Sequence, residues 1–286
     1  MTENRGASKE AIQFHYDFGN DFYAEWLDET MTYSAGIWPD SGEKAVSLRS
    51  VQERKLDWHL EGARLGQGRR LLDVGCGWGG LIERAQQTRG FDRAVGLTLS
   101  EAQAAWIRER HAEDPIEIEV KPWQAFRAAE PFDALISIGA FEHFARPGMT
   151  RAQKLASYED FFAFAAKSLT AGGTISLQTI VWMEIEAGKE AESLPADFFP
   201  ESDLPYVSEV VQAAERHFHM TRFHNRPRDY SKTLRVWLKS IRDKREALTE
   251  RYGEEAVARY SKFFTGFILG FDRGAIGLTR MKFVKR

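Results

Sequence analysis

Short apolar runs alternate with helical patterns along most of the chain. Leu71, Leu72 and Val74 form one such run and Phe132–Ile138 a longer one, as in buried parallel strands, whereas Ile116–Val120 alternates apolar and charged positions. Strands that alternate with helices are typical of a parallel, doubly wound sheet, so the predicted fold class is α/β. We predict strands over 71–74, 94–97, 116–120, 132–138, 174–180, 220–224 and 275–285, and helices over 42–64, 81–89, 101–112, 151–169, 206–217 and, as one or two helices, 228–270.

The N-terminal part of the chain does not follow this alternation. Residues 10–38 concentrate aromatic side chains without a clear period and break at Gly19-Asn20, which indicates helix, turn, helix and loop. This segment packs either over the mouth of a ligand site or as an aromatic staple on the sheet. The helix over 42–64 has an apolar stripe, and Lys55 is placed with the charged residues outside it. We expect an N-terminal aromatic helical lid over 1–64 and a core over 65–286, with lid insertions at about 181–205 and 225–270.

A glycine-rich turn joins the first strand to the next helix, in the stretch RRLLDVGCGWGG at 69–80. Glycines permit a sharp turn and close approach of a ligand to the backbone, and open α/β sheets bind nucleotide-like ligands at such turns. Asp73 precedes the first glycine, Gly75, and a carboxylate there favours a cationic ligand over a pyrophosphate. S-adenosylmethionine (SAM) carries an ammonium and a sulfonium and no phosphate. SAM therefore fits better than NAD, and a glycine turn without a ligand is the third interpretation.

Composition restricts the partners. The formal net charge of -3 gives no global field that would recruit nucleic acid or an anionic membrane. The single cysteine, Cys76, allows no internal disulfide, and no apolar run approaches the ~20 residues of a membrane span, so we expect a cytoplasmic protein. Aromatic residues make up 13% of the chain, which favours an aromatic core or a pocket for an apolar substrate. The basic residues Lys239, Arg242, Lys244 and Arg245 form a solvated helix face or contact phospholipid headgroups or an acyl-carrier protein.

Six stretches, in order along the chain, resemble one enzyme family. They are HYDFGNDFYAEWLDETMTYSAGIW at 15–38, LLDVGCGWGG at 71–80, VGLTLSEAQ at 95–103, SIGAFEHF at 137–144, LQTI at 177–180 and DYSKTLRVW at 229–237. The chain resembles the cyclopropane-fatty-acyl-phospholipid synthase family, and in particular the short mycolic-acid cyclopropane synthases. The resemblance implies a class I SAM-methyltransferase (Rossmann-like) sheet of seven strands with the last one antiparallel. It also implies SAM as cofactor, and the predicted cofactor residues, with Asp73 added from its charge, are Tyr33, Ser34, Asp73, Gly75, Gly77, Thr98, Gln103, Trp123 and Gln124.

The resemblance further implies chemistry on an alkene in a hydrophobic, fatty-acyl-like substrate, bound to a lipid, bound to a carrier, or free. The double bond takes up the sulfonium methyl, a carbocation forms, and loss of a proton closes a cyclopropane; a methyl branch is the other product. Such a site holds alkene and methyl in line, excludes water and offers aromatic faces to positive charge. In this family the base is a bound bicarbonate. The matching positions are Glu142, Tyr230 and the backbone of Ile180.

Two positions depart from the family pattern. Ala35 stands where the family has cysteine, and Gln178 stands where it has histidine. Glutamine donates a hydrogen bond but carries no proton near neutral pH, so the bicarbonate site is either retuned or lost. Loss would suit transfer of a methyl without its deprotonation, or C-, N- or O-methylation of a small natural product with Glu142 as the direct base. A SAM-binding regulator without catalysis is the remaining hypothesis.

Other residues have a structural interpretation beside the functional one. His143 assists as a base or orients its neighbours. Gln103 contacts the ribose of SAM or completes a capping box with Ser100, and Trp123 flanks the adenine or belongs to the core. The aromatic stripe over 263–271 is core or acyl channel. We predict no nucleophilic role for Cys76 and no metal site.

Overall fold

A computed structural model describes residues 6–8, 18–40, 46–63, 65–66, 68–183 and 201–286. The strands in these ranges are β1 (Arg70–Val74), β2 (Arg93–Thr98), β3 (Ile116–Val120), β4 (Phe132–Ile138), β5 (Leu169–Trp182), β6 (Phe218–Asn225) and β7 (Ile276–Lys285). They form one seven-stranded sheet in the order β3-β2-β1-β4-β5-β7-β6. Strands β1 to β5 are parallel, and β7 is antiparallel to both β5 and β6. The predicted α/β class, with seven strands and the last one antiparallel, is confirmed.

Helices cover both faces of this sheet. They are α1 (Gly19–Ala24), α2 (Leu48–Leu60), α3 (Gly80–Thr88), α4 (Glu101–Arg110), α5 (Arg151–Ser168), α6 (Val207–Ala214), α7 (Pro227–Asp243), α8 (Arg245–Tyr252) and α9 (Glu254–Asp272). Short 3₁₀ turns at Trp123–Ala125 and Phe141–His143 follow β3 and β4. In the ranges that the structure describes, no helix is both long enough and apolar enough to cross a membrane.

Some predicted boundaries are wrong. Strand β5 begins at Leu169, because Leu169 pairs with Phe132 across a register shift. The Ala171-Gly172-Gly173 stretch was expected to close the preceding helix. It lies within the strand instead. The region 228–270 contains parts of three helices, because the backbone leaves helical geometry at Lys244 and again at Gly253, where φ is +88°.

Other predictions are confirmed in part. Helix α2 is shorter than the predicted 42–64 and begins after Ser47, whose Oγ accepts from the N–H of Ser50 at 3.1 Å. The predicted break at Gly19-Asn20 coincides with the start of α1, where Gly19 has φ +78°. Residues 9–17, 41–45 and 184–200 lie outside the described residues, so much of the predicted lid over 1–64 and of the insertion at 181–205 stays untested.

The two faces of the sheet have different characters. One face packs against α5 and α6 in an apolar core that includes Leu135, Leu177, Phe161 and Phe162. The other face is covered by α2 and α3 over β1, and by α1, α7 and α9 beside β5 and β7. Because side chains alternate along strands, Asp73, Gln178 and Arg280 all belong to this second face. These three polar side chains are at most 2% exposed.

Candidate active site

The glycine turn after β1 lines a pocket at the carboxyl ends of β1, β2 and β4. Gly75 and Gly77 have φ values of +82° and +55°, which favour glycine. The N–H groups of Gly75 and Cys76 both donate to the carbonyl of Leu97 at 2.9 Å and so tie the turn to the end of β2. A Cβ at position 75 would lie 2.5 Å from the Cβ of Ala140. Conformation and space therefore both require glycine at 75.

All the predicted cofactor residues line this one pocket, although they come from distant parts of the chain. His143, predicted as a base, lines it as well, whereas the other predicted catalytic and substrate residues do not. Contact of these residues with SAM stays a prediction. The lining includes Tyr33, Ser34, Asp73, Gly75, Gly77, Thr98, Gln103, Trp123, Gln124 and His143.

Two buried ionisable groups, Asp73 and Lys55, line the pocket together. Burial raises the pKa of the Asp73 carboxyl to about 7, and the nearby Lys55 opposes this rise. Burial, helped by the positive charge of Arg280, lowers the pKa of the Lys55 ammonium to about 7, against the effects of Asp28 and Asp73. A ligand that brings an ammonium and a carboxylate would restore the charged forms of both groups. The amino-acid end of SAM has this composition, so the residues present fit it.

The predicted placement of Lys55 outside the apolar stripe of α2 is wrong. Its side chain is 1% exposed, and Nζ donates to Oγ of Ser34 at 2.9 Å. Gln52, one turn earlier, donates through Nε2 to the carbonyls of Ser34 at 2.8 Å and Thr32 at 3.3 Å. Gln52, Lys55 and His59 recur at spacings of three and four residues and are all buried. That periodicity is visible in the sequence and would have revealed a polar inner face.

The Thr98–Gln103 pair also lines the pocket. Oγ1 of Thr98 donates to Oε1 of Gln103 at 2.7 Å, and the N–H of Ser100 donates to Oγ1 of Thr98 at 3.1 Å. Ser100 caps α4 by accepting from the N–H of Gln103 at 3.3 Å. The Gln103 side chain contacts Thr98 instead of completing a capping box. Because Thr98 engages the amide oxygen of Gln103, the amide nitrogen can donate its hydrogens elsewhere, which suits the predicted contact with ribose hydroxyls.

Trp123 belongs to the core and also lines the pocket, and its contact with adenine stays a prediction. The ring lines the pocket and is 5% exposed. It also packs against Phe144, Phe161 and Phe164 at centroid distances of 5.4, 5.5 and 5.4 Å, within the core beneath the sheet. A ring fixed in this way offers a rigid flat surface beside the pocket, as stacking on an adenine would require.

Tyr33 connects the pocket to a large aromatic cluster. Its ring lies 5.6 Å from Tyr23, 5.2 Å from Trp26 and 5.3 Å from Trp237, measured between centroids. The cluster continues through α7 and α9, where the predicted stripe over 263–271 is buried. The burial of the stripe favours its interpretation as core. Tyr230 borders the same cluster and packs on Phe271 at 5.0 Å.

Glu142 is a buried carboxyl with its two oxygens in different situations. Oε1 accepts from the backbone N–H of Ile180 at 2.8 Å. Oε2 has no hydrogen-bond partner among the described residues. Burial raises the pKa of this carboxyl to about 7, against the lowering effect of the Ile180 N–H. The structure thus joins Glu142 to Ile180, the predicted backbone contact of bicarbonate, and leaves one carboxyl oxygen able to take up a proton.

Gln178 and Ala35, where the chain departs from the family pattern, both contact Arg280. This side chain is 1% exposed, and sequence reasoning missed it. Its Nε donates to Oε1 of Gln178 at 2.7 Å, and Nη2 donates to the carbonyls of Ala35 at 3.4 Å and Gly36 at 2.9 Å. Nη1 donates to the Asp229 carboxylate at 2.9 Å and forms an ion pair with it. Asp229 directly precedes Tyr230 in the sequence.

These contacts leave few groups for the predicted bicarbonate. The N–H of Ile180 is already engaged by Glu142, and the amide oxygen of Gln178 is engaged by Arg280. The charge of Arg280 is balanced by Asp229. A bicarbonate here would lie near the Glu142 carboxyl without a cation of its own, which is an unfavourable arrangement of charge. The described residues therefore fit SAM better than bicarbonate.

His143 lies at the edge of the cofactor pocket, held by segments distant in sequence. Its Nδ1 and Oγ of Ser202 are 2.6 Å apart, and its carbonyl accepts from the N–H of Ala7 at 2.8 Å. Burial lowers the pKa of the imidazole to about 4, so the ring is neutral at pH 7. This environment favours the orienting role over the role of a base that gains a proton.

The chain matches known enzymes over nearly its whole length. A family model described as mycolic acid cyclopropane synthetase matches residues 3–281. The chain belongs to this family. It is 31% identical over 293 residues to "Cyclopropane mycolic acid synthase MmaA2" of Mycobacterium tuberculosis, covering 96% of this chain and 97% of that enzyme. It is also 31% identical over 261 residues to the cyclopropane-fatty-acyl-phospholipid synthase of Escherichia coli K12, covering 89% and 61% of the two chains.

A solved structure of one relative agrees with the fold. Mycolic acid cyclopropane synthase CmaA1, complexed with SAH and CTAB, superposes with a TM-score of 0.85 at 30% identity, covering 99% of this chain and 100% of that one. Family membership confirms the resemblance inferred from the sequence and the assignment to the SAM-dependent methyltransferases. The roles of the individual site residues stay predictions.

Two secondary predictions also have a structural context. Three of the four basic residues between 239 and 245 are paired: Lys239 with Asp243, Lys244 with Glu25 at 2.9 Å, and Arg245 with Glu254. This pairing favours a solvated helix face over a lipid-binding patch. Cys76 is buried, and burial raises the pKa of its thiol, which disfavours the thiolate that a nucleophile needs.

Proposed function

We propose that this enzyme transfers the methyl group of SAM to a carbon–carbon double bond of a hydrophobic, fatty-acyl-like substrate, giving a cyclopropane or a methyl branch. The pocket around the glycine turn, lined by the buried Asp73 and Lys55, supports SAM as the donor. The names of the relatives, which are cyclopropane synthases of mycolic acids and of fatty-acyl phospholipids, support the acceptor class. CTAB, named with the CmaA1 structure, is a long-chain alkyl ammonium compound and agrees with an apolar acceptor chain.

The structural observation that supports the proton-removal step is the unpaired oxygen of Glu142, while the choice of an alkene rests on the family. A carboxyl with pKa about 7 is ionised in a large fraction of molecules at neutral pH and is then a useful base. Its Oε1 is fixed by the N–H of Ile180, so Oε2 is the oxygen available for a proton. We therefore assign Glu142 as the general base, without bicarbonate as an intermediary.

The electron balance of the reaction follows from this assignment. When bound, SAM supplies an electrophilic methyl on sulfur. As the π electrons of the alkene form the new C–C bond, the bond between the methyl carbon and sulfur breaks and its electrons stay on sulfur, and the other alkene carbon becomes a cation. Oε2 of Glu142 then takes a proton from the added methyl, and the electrons of that C–H bond close the ring. If no proton leaves the methyl, loss of a proton from a neighbouring carbon gives a methyl-branched alkene.

The aromatic cluster next to Tyr33 supplies the environment that such a cation needs. Tyr23, Trp26 and Trp237 are 0–2% exposed, and Tyr33 joins them to the pocket lining. The buried rings behind Tyr33 exclude water, which would trap the cation as an alcohol, and Tyr33, which lines the pocket, offers a π face to positive charge. Each ring is held by several aromatic neighbours, so its orientation is set before the substrate arrives.

The experiment that tests this function uses SAM with a trideuterated methyl. Purified enzyme is incubated with an unsaturated phospholipid, with an unsaturated acyl-carrier thioester, and with small-molecule extracts, and products are measured by mass spectrometry. A lipid-linked product that keeps two deuterons supports ring closure through a base beside the methyl. A product that keeps three with a new C–C bond supports the methyl branch. Methylation of nitrogen or oxygen in a small metabolite would overturn the alkene proposal in favour of the alternative.

Glu142→Gln provides the matched control for this experiment. The substitution keeps the acceptor for the Ile180 N–H but removes the base. We expect unchanged SAM binding by calorimetry and loss of the two-deuteron product. Full turnover by this variant, or turnover that depends on added bicarbonate in the wild type, would contradict the direct role of Glu142.

A further inference from the structure

We propose that Arg280 is the positioning residue of the acceptor side of the active site, and that Gln52 and Lys55 position the cofactor side of the same loop. The inference rests on the proposed function, because it assigns the acceptor to the side of Glu142 and Tyr230, which do not line the cofactor pocket. The relevant loop is 32–36, called here the bridging loop; it carries Tyr33 and Ser34 on the cofactor pocket and Ala35 away from it.

Arg280 connects three segments of the chain that are distant in sequence. One guanidinium donates to three separate segments: the amide of Gln178 on β5, the carboxylate of Asp229 at the start of α7, and the carbonyls of Ala35 and Gly36. Arginine presents its N–H groups in a rigid planar fork, so these contacts fix the relative orientation of the segments and not only their proximity. The three segments carry the predicted acceptor-side residues Ala35, Gln178 and Tyr230.

The other half of the bridging loop is held by hydrogen bonds from Gln52 and Lys55. Gln52 donates to the carbonyls of Thr32 and Ser34, and Lys55 donates to the hydroxyl of Ser34. Both supporting residues lie on α2, whereas Arg280 lies on β7. The loop is therefore held by α2 at its cofactor end and by β7 at its acceptor end.

Arg280 also orients the side-chain amide of Gln178. Its Oε1 accepts from Nε of Arg280, so the two hydrogens of Nε2 belong to the end of the amide that does not contact the guanidinium. Without Arg280, no buried charge would hold the amide oxygen of Gln178 on one side and the amide nitrogen on the other. Arg280 thus fixes the orientation of an amide whose side chain also interacts with the buried His59.

The test separates the two halves of the loop. Arg280→Lys keeps the positive charge for Asp229 but cannot make all the contacts of the fork, and Arg280→Met with Asp229→Leu removes the whole ion pair. Replacement of a buried pair by apolar residues is often well tolerated, so at least one of these proteins should fold. Gln52→Leu is the matched variant on the cofactor side. For each protein we measure SAM affinity by calorimetry, kcat and KM for the acceptor, and amide hydrogen exchange.

We expect both Arg280 proteins to lose at least tenfold in kcat while the Kd for SAM stays within threefold. Gln52→Leu should weaken SAM at least tenfold and leave kcat at saturating SAM within threefold. Hydrogen exchange should accelerate at 35–38 and 229–233 in the Arg280 proteins, and at 32–34 in Gln52→Leu. Equal loss of SAM affinity in both sets, or kcat unchanged in folded Arg280 proteins, would overturn the proposal. If the wild type methylates no alkene, the proposed function fails, and the SAM affinities and exchange pattern still decide the positioning of the loop.

Discussion

The glycine at position 75 offers the sharpest test of how the sequence builds the cofactor pocket. Gly75 has φ +82°, and a Cβ there would lie 2.5 Å from the Cβ of Ala140. Gly75→Ala therefore carries a conformational cost of about 1–2 kcal/mol for the left-handed region. The contact with Ala140 adds about 1–3 kcal/mol, as is usual for overpacked sites. We expect a total loss of about 2–5 kcal/mol in the free energy of unfolding, and a weaker affinity for SAM because the turn must shift.

Gly148 is a matched control, since it has the same φ of +82° but no atom within 4 Å of the place that a Cβ would occupy. Gly148→Ala should lose only the conformational part, about 1–2 kcal/mol. A compensating variant, Gly75→Ala with Ala140→Gly, removes the close contact and should recover the difference. Urea unfolding and calorimetric titration with SAM measure both effects. If Gly75→Ala behaves like Gly148→Ala, or if Ala140→Gly brings no recovery, the contact with Ala140 does not limit this position.

Three other contacts make predictions that can be measured separately. Burial raises the pKa of Glu142 from 4.5 to about 7, so the folded wild type loses stability as the pH rises through that window. Glu142→Gln should therefore gain stability relative to the wild type between pH 4.5 and pH 8, measured by urea unfolding. Gln103→Leu should weaken SAM about tenfold, the value of one hydrogen bond, whereas Gln103→Glu keeps an acceptor for Thr98 and should bind more tightly than the leucine variant. The hydroxyls of Tyr23 and Tyr260 are 2.5 Å apart, so in a double-mutant cycle the two Tyr→Phe changes should cost less together than the sum of the single changes.

The sequence predicts best what depends on local pattern. The predicted strand over Phe132–Ile138 has the observed bounds, because a buried central strand is an apolar run that ends where the burial ends. The glycine turn is predictable because clustered glycines indicate backbone with positive φ, which other residues rarely adopt. The grouping of Tyr33, Thr98 and Trp123 around one pocket depends on the family resemblance, since no local pattern brings such distant positions together.

The two errors of greatest consequence are polar residues on inner faces. The sequence places Lys55 on the outside of α2 because charged side chains are rarely buried, yet it meets the bridging loop through Ser34. Arg280 gives no signal in the sequence, because its partners are 102, 51 and 244 positions away for Gln178, Asp229 and Gly36. A buried cation is explained only by its partners, and these partners meet only in the folded chain.

Arg280 also gives a physical reason for one of the two departures of the chain from its family, Gln178. Where the resemblance implies histidine, Gln178 offers an amide oxygen to the guanidinium, and its neutral amide adds no second positive charge. An imidazole at that position would face a buried cation, which disfavours its protonated form and so removes the proton-carrying property that distinguishes histidine from glutamine. Ala35, the other departure, meets the same guanidinium through its carbonyl, and it is fully buried. At Gln178 a fixed network of hydrogen bonds around Arg280 thus replaces a group that titrates, whereas Ala35 meets the guanidinium only through a backbone carbonyl that any residue would supply. In such a network Glu142 is left as the group on the acceptor side whose pKa lies near 7.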